Sequence, residues 1–121
     1  RVRFAEHLEL SALQQCVAGA DVLVQPSFYE GFGPPPLEAM AAGTPCLASR
    51  IDPLVEVCGD AVAYCDPHDP ADIARRLLEL LESTSARHEL SARGRRRAQA
   101  FSWDRSATET LAIFERVLSS P

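Results

Sequence analysis

Apolar residues follow two rhythms along this chain: short runs, and longer stretches in which they return every third or fourth position. The short runs are Val2 to Phe4, broken by Arg3, then Val22 to Val24, Cys46 to Ser49 with the serine closing it, and Ala61 to Cys65, each reading as a buried strand or strand end. The longer rhythm first appears over Leu8 to Val17, where Leu10, Leu13 and Val17 share one helical face and Ser11 stands near its start. Beyond the fourth run, the turn DPHDP leads to a helix opened by Asp69 or Asp72, with Ile73, Leu77, Leu80 and Leu81 on its core face. A polar helix containing His88 comes next. A final one is capped by Ser102, carries Asp104 in its first turn, and bears Ala107, Leu111, Phe114 and Leu118 on one stripe.

Strand and helix therefore alternate. That order predicts an α/β fold, a Rossmann-like parallel sheet with flanking helices joined by right-handed crossovers. At least three parallel strands are expected, at about Val2, Val22 and Cys46, with Ala61 to Cys65 as a last short one. Between Cys46–Ser49 and that last strand, RIDPLVEVCGD reads as an irregular stretch with a short helical turn.

The chemistry concentrates between Val22 and Ser49. After the strand comes QPSFYEGFGPPPLEAMAAGTP, in which Gly31 and Gly33 flank Phe32 and let a ligand approach the backbone closely. Pro34 to Pro36 suit a first helical turn, so a helix begins there, runs through Leu37 and Met40, and stops at Gly43 with Pro45 beyond. Its N-terminus favours an anion. The three prolines remove N–H donors from that terminus, which leaves phosphate contact to Gly33, Leu37 and the helix dipole. Glu30 stands just before the anion site and Glu38 about one turn inside the helix, with seven residues between them. Carboxylates accept hydrogen bonds from vicinal hydroxyls. A ligand with a diphosphate between two polyols, a nucleotide-sugar, matches carboxylate, helix N-terminus and carboxylate in order. Since the loop leaves a strand at the carboxyl edge of the sheet, the site falls where such folds bind ligands.

EGFGPPPLEAMAAGTP resembles the nucleotide-sugar signature of the GT-B glycosyltransferases, in particular the retaining group called family 4, or glycosyl transferases group 1. EVCGDAVAYCDP, the leucine-rich helix after it and AQAFSWDRSA continue the resemblance over nearly the whole chain. It implies that residues 1–121 are part of a C-terminal nucleotide-sugar-binding domain. The N-terminal acceptor domain and the basic pair that grips the diphosphate would lie outside them. It also implies transfer of a sugar from a nucleotide diphosphate sugar to an acceptor hydroxyl, on a sugar, a lipid-linked molecule or a protein. No metal and no cofactor beyond the donor substrate is implied, and this portion alone is expected not to catalyse. By this resemblance Glu30, the catalytic candidate, would contact hydroxyls of the donor sugar, with the backbone of Gly31, Phe32 and Gly33 beside it. Glu38 would hold the ribose. Two departures stand out: Val55 precedes Glu56 where relatives carry proline, and Pro34 replaces an aliphatic residue. Other GT-B enzymes, an epimerase or a phosphorylase, and a non-catalytic nucleotide-sugar-binding module are the alternatives.

Composition narrows the picture further. A chain of 121 residues with 46% hydrophobic residues is one globular domain at most. No apolar run approaches a membrane span, and charges throughout Arg1 to Leu10 exclude a signal peptide there. A formal charge of -5 argues against a nucleic-acid binder. Cys16, Cys46, Cys58 and Cys65 form no C-x-x-C pair and read as buried free thiols in a cytoplasmic protein. His7, His68 and His88 read as structural or solvated. The one basic cluster, RGRRR at Arg93 to Arg97, reads first as a solvated helix face and second as a peripheral contact with acidic lipid headgroups.

Overall fold

The computed structural model describes residues 1–119. Its sheet consists of β1 (Leu23–Gln25), β2 (Cys46–Ser49) and β3 (Ala63–Cys65), all parallel and ordered β1-β2-β3. The helices are α1 (Leu10–Ala18), α2 (Pro34–Ala42), α3 (Asp52–Cys58), α4 (Pro70–Glu82), α5 (Thr84–Ala98) and α6 (Trp103–Leu118).

Every residue of the central strand β2 is buried, because helices cover both of its faces. Alternate side chains of a strand point to opposite faces. Cys46 and Ala48 thus join Met40, Leu54, Val57 and Cys58 on one side, while Leu47 meets Cys65 and Leu80 on the other. The polar end of β2 is satisfied locally: the Ser49 hydroxyl donates to the Gln25 carbonyl at 3.4 Å, tying the carboxyl ends of β1 and β2 together.

The expected strand at Val2 to Phe4 does not form. Residues 1–9 are irregular, and Val2 and Phe4 are 79% and 95% exposed. Val2 and Phe4 alternate with Arg3 as in a strand, but a strand also needs a ladder, and among the described residues neither sheet edge pairs with them. The third parallel strand is instead β3, at Ala63–Cys65.

Local signals set most other boundaries. Gly43 ends α2 at φ 81, and the Thr44 hydroxyl behind it donates to the Val17 carbonyl at 2.7 Å, joining α1 to the α2–β2 turn. Asp69, rather than Asp72, caps α4 by accepting the Ala71 N–H at 2.9 Å. Asp72 in the first turn accepts the Asp66 N–H at 2.9 Å, and chiefly for that reason its carboxyl is held below the usual carboxylate range. Residues 52–58 form a true helix rather than a single turn, since Leu54, Val57 and Cys58 give it a buried face. On α4, Leu80 is buried but Leu81 is 45% exposed, because a stripe four residues wide exceeds the face that the sheet covers.

The basic cluster on α5 is not simply a solvated face. Arg97 donates to the carbonyls of Val57 at 2.8 Å and Glu56 at 2.7 Å, satisfying orphan acceptors at the end of α3. Arg93 donates to the Asp60 carbonyl at 3.3 Å and pairs with Glu89. Gly94 lies against Met40 so closely that a Cβ would stand 3.2 Å from Met40 Cα, which lets α5 settle onto α2.

Cys46, Cys58 and Cys65 are buried, but Cys16 is exposed, on α1, a helix with no buried residue. Burial pushes Cys58 up to about 11 and drives Cys46 and Cys65 upward as well. Since the thiolate is the reactive form, a thiol reagent under native conditions is expected to modify Cys16 alone. All four should react after denaturation. Mass spectrometry that finds rapid native labelling of Cys58 or Cys46 would contradict this packing.

Ser102 caps α6 by accepting the Arg105 N–H at 3.3 Å, yet no residue of that helix is buried. Leu111, Phe114 and Leu118 are 57%, 61% and 85% exposed. In the isolated chain the amides of α6 are expected to exchange far faster than those of β2; equal protection in the two elements would show that α6 docks. No helix among the described residues is long and apolar enough to cross a membrane.

Candidate functional site

β1 ends at Gln25 on the carboxyl edge of the sheet, and the chain beyond it doubles back over that edge. The Gln25 side-chain amide donates to Ser27 Oγ and to Glu30 Oε1, each at 2.7 Å, and Ser27 Oγ donates to the same Glu30 oxygen at 2.7 Å. Glu30 is half-buried by this arrangement. Both bonds fall on Oε1, so among the described residues Oε2 keeps its acceptor capacity for a ligand. A carboxylate held this way loses little rotamer freedom on binding. Sequence reasoning did not find these two supports. Their only signal is a polar pair closing an apolar strand five and three residues before the glutamate.

The loop then passes Gly31 and Phe32 to Gly33, which is buried and left-handed at φ 91 and serves as the N-cap of α2. A Cβ at Gly33 would run into Leu54 Cδ2, so α3 fixes the entry angle of α2 through one side chain. The four N–H groups that a helix start leaves unpaired belong here to Gly33, Pro34, Pro35 and Pro36. Prolines have none, so Gly33 alone keeps such a donor, and the macrodipole supplies the rest of the positive character. Leu37, the next position, is half-buried against the core with its side chain beside Met40's cluster.

Glu38 is exposed on the outer face of α2 and makes no hydrogen bond or ion pair among the described residues. It borders two cavities. One, of about 280 Å³, lies between Phe32, Pro34 and Leu37 and the start of α6 at Phe101 to Trp103. The other, of about 410 Å³, lies against α1 and is walled by Leu13, Val17, Ala41 and Ala42. A further cavity of about 360 Å³ is bounded by Gly31, Phe32, Asp52, Glu56 and Arg97. Glu30 lines none of these three; its contacts are with Gln25 and Ser27 at the carboxyl end of β1. The structure thus gathers Gly31, Phe32, Leu37 and Glu38 around these cavities and holds Glu30 outside them on its own supports. Glu56 is exposed beside the loop, and its carbonyl, not its carboxylate, is what the fold uses.

The loop is fastened on two further sides. Phe28 meets His68 at 4.9 Å between ring centroids, which joins it to the turn after β3 and gives His68 a structural role. Phe32 meets Phe101 edge to face at 5.9 Å. Among the described residues no three His, Cys, Asp or Glu side chains converge as a metal site.

Residues 1–97 match the family model described as glycosyl transferases group 1. The chain is 39% identical over 114 residues to O-antigen chain mannosyltransferase B of Escherichia coli, covering 94% of this chain and 30% of that protein. It is 41% identical over 115 residues to MMP alpha-(1->4)-mannosyltransferase of Mycolicibacterium hassiacum, covering 92% of this chain and 27% of that one. Among solved structures, sucrose-phosphate synthase from Thermosynechococcus elongatus superposes with a TM-score of 0.89 at 29% identity, over 100% of this chain and 31% of that one. The chain spans less than a third of the length of each of these relatives. With a matching family model over most of its length, and the parallel α/β fold of a GT-B neighbour over all of it, this chain belongs to the glycosyl transferases group 1 family.

Proposed function

We propose that this chain is the donor-binding part, within the C-terminal half, of a retaining glycosyltransferase that moves a sugar from a nucleotide diphosphate sugar to an acceptor hydroxyl. What supports this reading is the order along the chain of a pre-oriented carboxylate, Glu30, the N-terminus of α2 at Gly33, and an unpaired carboxylate, Glu38, about one turn inside that helix. Glu30 Oε2 accepts from sugar hydroxyls, and the backbone of Gly31, Phe32 and Gly33 lies beside the same sugar. Glu38 accepts from the ribose. The diphosphate between them faces the Gly33 N–H and the positive end of the α2 dipole, with Leu37 at the edge of its seat.

In the transfer, the bond from the anomeric carbon to phosphate oxygen breaks, and the electron pair leaves with the diphosphate. The acceptor oxygen bonds to that carbon, and its proton passes to an oxygen of the departing diphosphate. The contribution of this chain is electrostatic: it receives charge as it develops on the leaving group, where fixed dipoles act most strongly. The acceptor, whether sugar, lipid-linked molecule or protein, and further cations for the diphosphate come from residues outside this chain. Four free cysteines suit a cytoplasmic setting, where thiols stay reduced.

The test is calorimetry on the full-length protein and its Glu30→Ala and Glu38→Ala variants, with a nucleotide-sugar and the matching bare nucleotide diphosphate. Identical small losses for both variants on both ligands would remove the reading.

A further inference from the structure

Phe32, the apex of the donor loop, is held by residues nearly seventy positions further along the chain. Its ring meets Phe101 edge to face, with centroids 5.9 Å apart and planes at 80°. Phe101 is half-buried against the core, and the Arg97 guanidinium lies over its ring at 5.2 Å from the centroid. Arg97 is itself anchored by donating to the carbonyls of Val57 and Glu56 at the end of α3. That helix also carries Leu54, the side chain that closes on Gly33. Loop, α5–α6 junction and α3 therefore form a closed ring of contacts. The Phe32–Phe101 pair is its wall, lined on one side by the cavity of about 280 Å³ that includes Glu38 and on the other by the cavity of about 360 Å³.

We propose that Phe101, oriented by Arg97, is a positioning residue for donor recognition: it fixes the Phe32 backbone and hence the loop segment that faces the donor sugar. This rests on the reading that the Glu30–Gly33 loop contacts that sugar. Glycines on both sides of Phe32 leave the segment few restraints of its own, so the aromatic contact supplies one that the backbone lacks. Glu38 and the α2 dipole stand on a helix that is also held by its buried Pro36, Ala39 and Met40 and by Gly94 of α5 against Met40, so recognition of the nucleotide leans on Phe101 less directly.

The experiment uses the full-length protein and two probes: the UDP- or GDP-hexose it binds best from a panel, and the corresponding bare diphosphate. Phe101→Ala is expected to weaken the sugar conjugate three- to tenfold while leaving the bare diphosphate within twofold. Phe101→Tyr, which keeps the ring, is expected to restore the conjugate. If Phe101→Ala fails to fold, Phe101→Leu fills most of the volume without an edge-to-face partner and should show the same split. Equal weakening of both ligands, or loss that Phe101→Tyr does not restore, would overturn the proposal. Glu30→Ala run alongside distinguishes the two levels. A sugar-specific loss in Glu30→Ala with none in the Phe101 variants sinks the positioning role alone. No sugar-specific loss in Glu30→Ala sinks the donor-loop reading beneath it.

Discussion

Gly33→Ala is expected to destabilise this domain by roughly 2–5 kcal/mol, far beyond what an alanine in a surface loop usually does. Two effects add. The left-handed conformation at φ 91 penalises any Cβ by about 1–2 kcal/mol. The new methyl group also has to displace Leu54, a fully buried side chain with no room to withdraw, and overpacking of that kind costs about 1–3 kcal/mol. For a domain of this size each kcal/mol lowers the melting temperature by about 3–6 °C. The neighbouring glycine is the control: a Cβ at Gly31 meets nothing within 4 Å, so Gly31→Ala should stay within about 0.5 kcal/mol of the parent. Thermal melts in which the two variants behave alike would show that Leu54 does not set the start of α2.

The second large effect is on binding. If Glu38 accepts hydrogen bonds from ribose hydroxyls, truncation to alanine removes charge-assisted bonds of roughly 1.5–3 kcal/mol, about ten- to a hundredfold in affinity. The loss applies to the nucleotide diphosphate and its sugar conjugate alike, since both carry the ribose. Because Glu38 makes no bond or ion pair among the described residues, little folding energy goes with it, and the effect reads as recognition. Glu30→Ala should weaken only the sugar conjugate. Gln25 Nε2 still donates to Ser27 Oγ at 2.7 Å, while the half-buried Ser27 hydroxyl loses the carboxylate it donated to. Were the two carboxylates only partners of the helix dipole, each would contribute about 0.3–1 kcal/mol to stability with no dependence on ligand.

What could be read beforehand was whatever a few neighbouring residues decide. Gly33, the prolines after it, Gly43 and Pro45 bracket α2 by backbone chemistry alone, and Asp69 and Ser102 cap their helices by reaching two or three residues ahead. The spacing of Glu30 and Glu38 was legible for the same reason. What escaped depends on which surfaces meet. Val2 to Phe4 has the composition of a strand but no ladder, and Cys16 is exposed on an otherwise predictable helix. Arg97 looked like one charge in a basic run; only the fold brings it to carbonyls about forty residues back and onto the Phe101 ring. Phe32 and Phe101 carry no sequence sign that they touch.

The three-strand order has a colloidal consequence. Among the described residues only β2 has a strand on both sides, so β1 pairs through one edge and turns the other outward. Leu23 directs its N–H toward the Pro45 carbonyl, at 2.8 Å, which leaves the backbone polar groups of Val24 aimed away from β2. The residues around that rim, Val22 to Val24, are β-branched or aliphatic and carry neither lysine nor proline to discourage pairing. Pairing between copies of the isolated chain therefore has a route at this rim, limited by the three-residue length of β1.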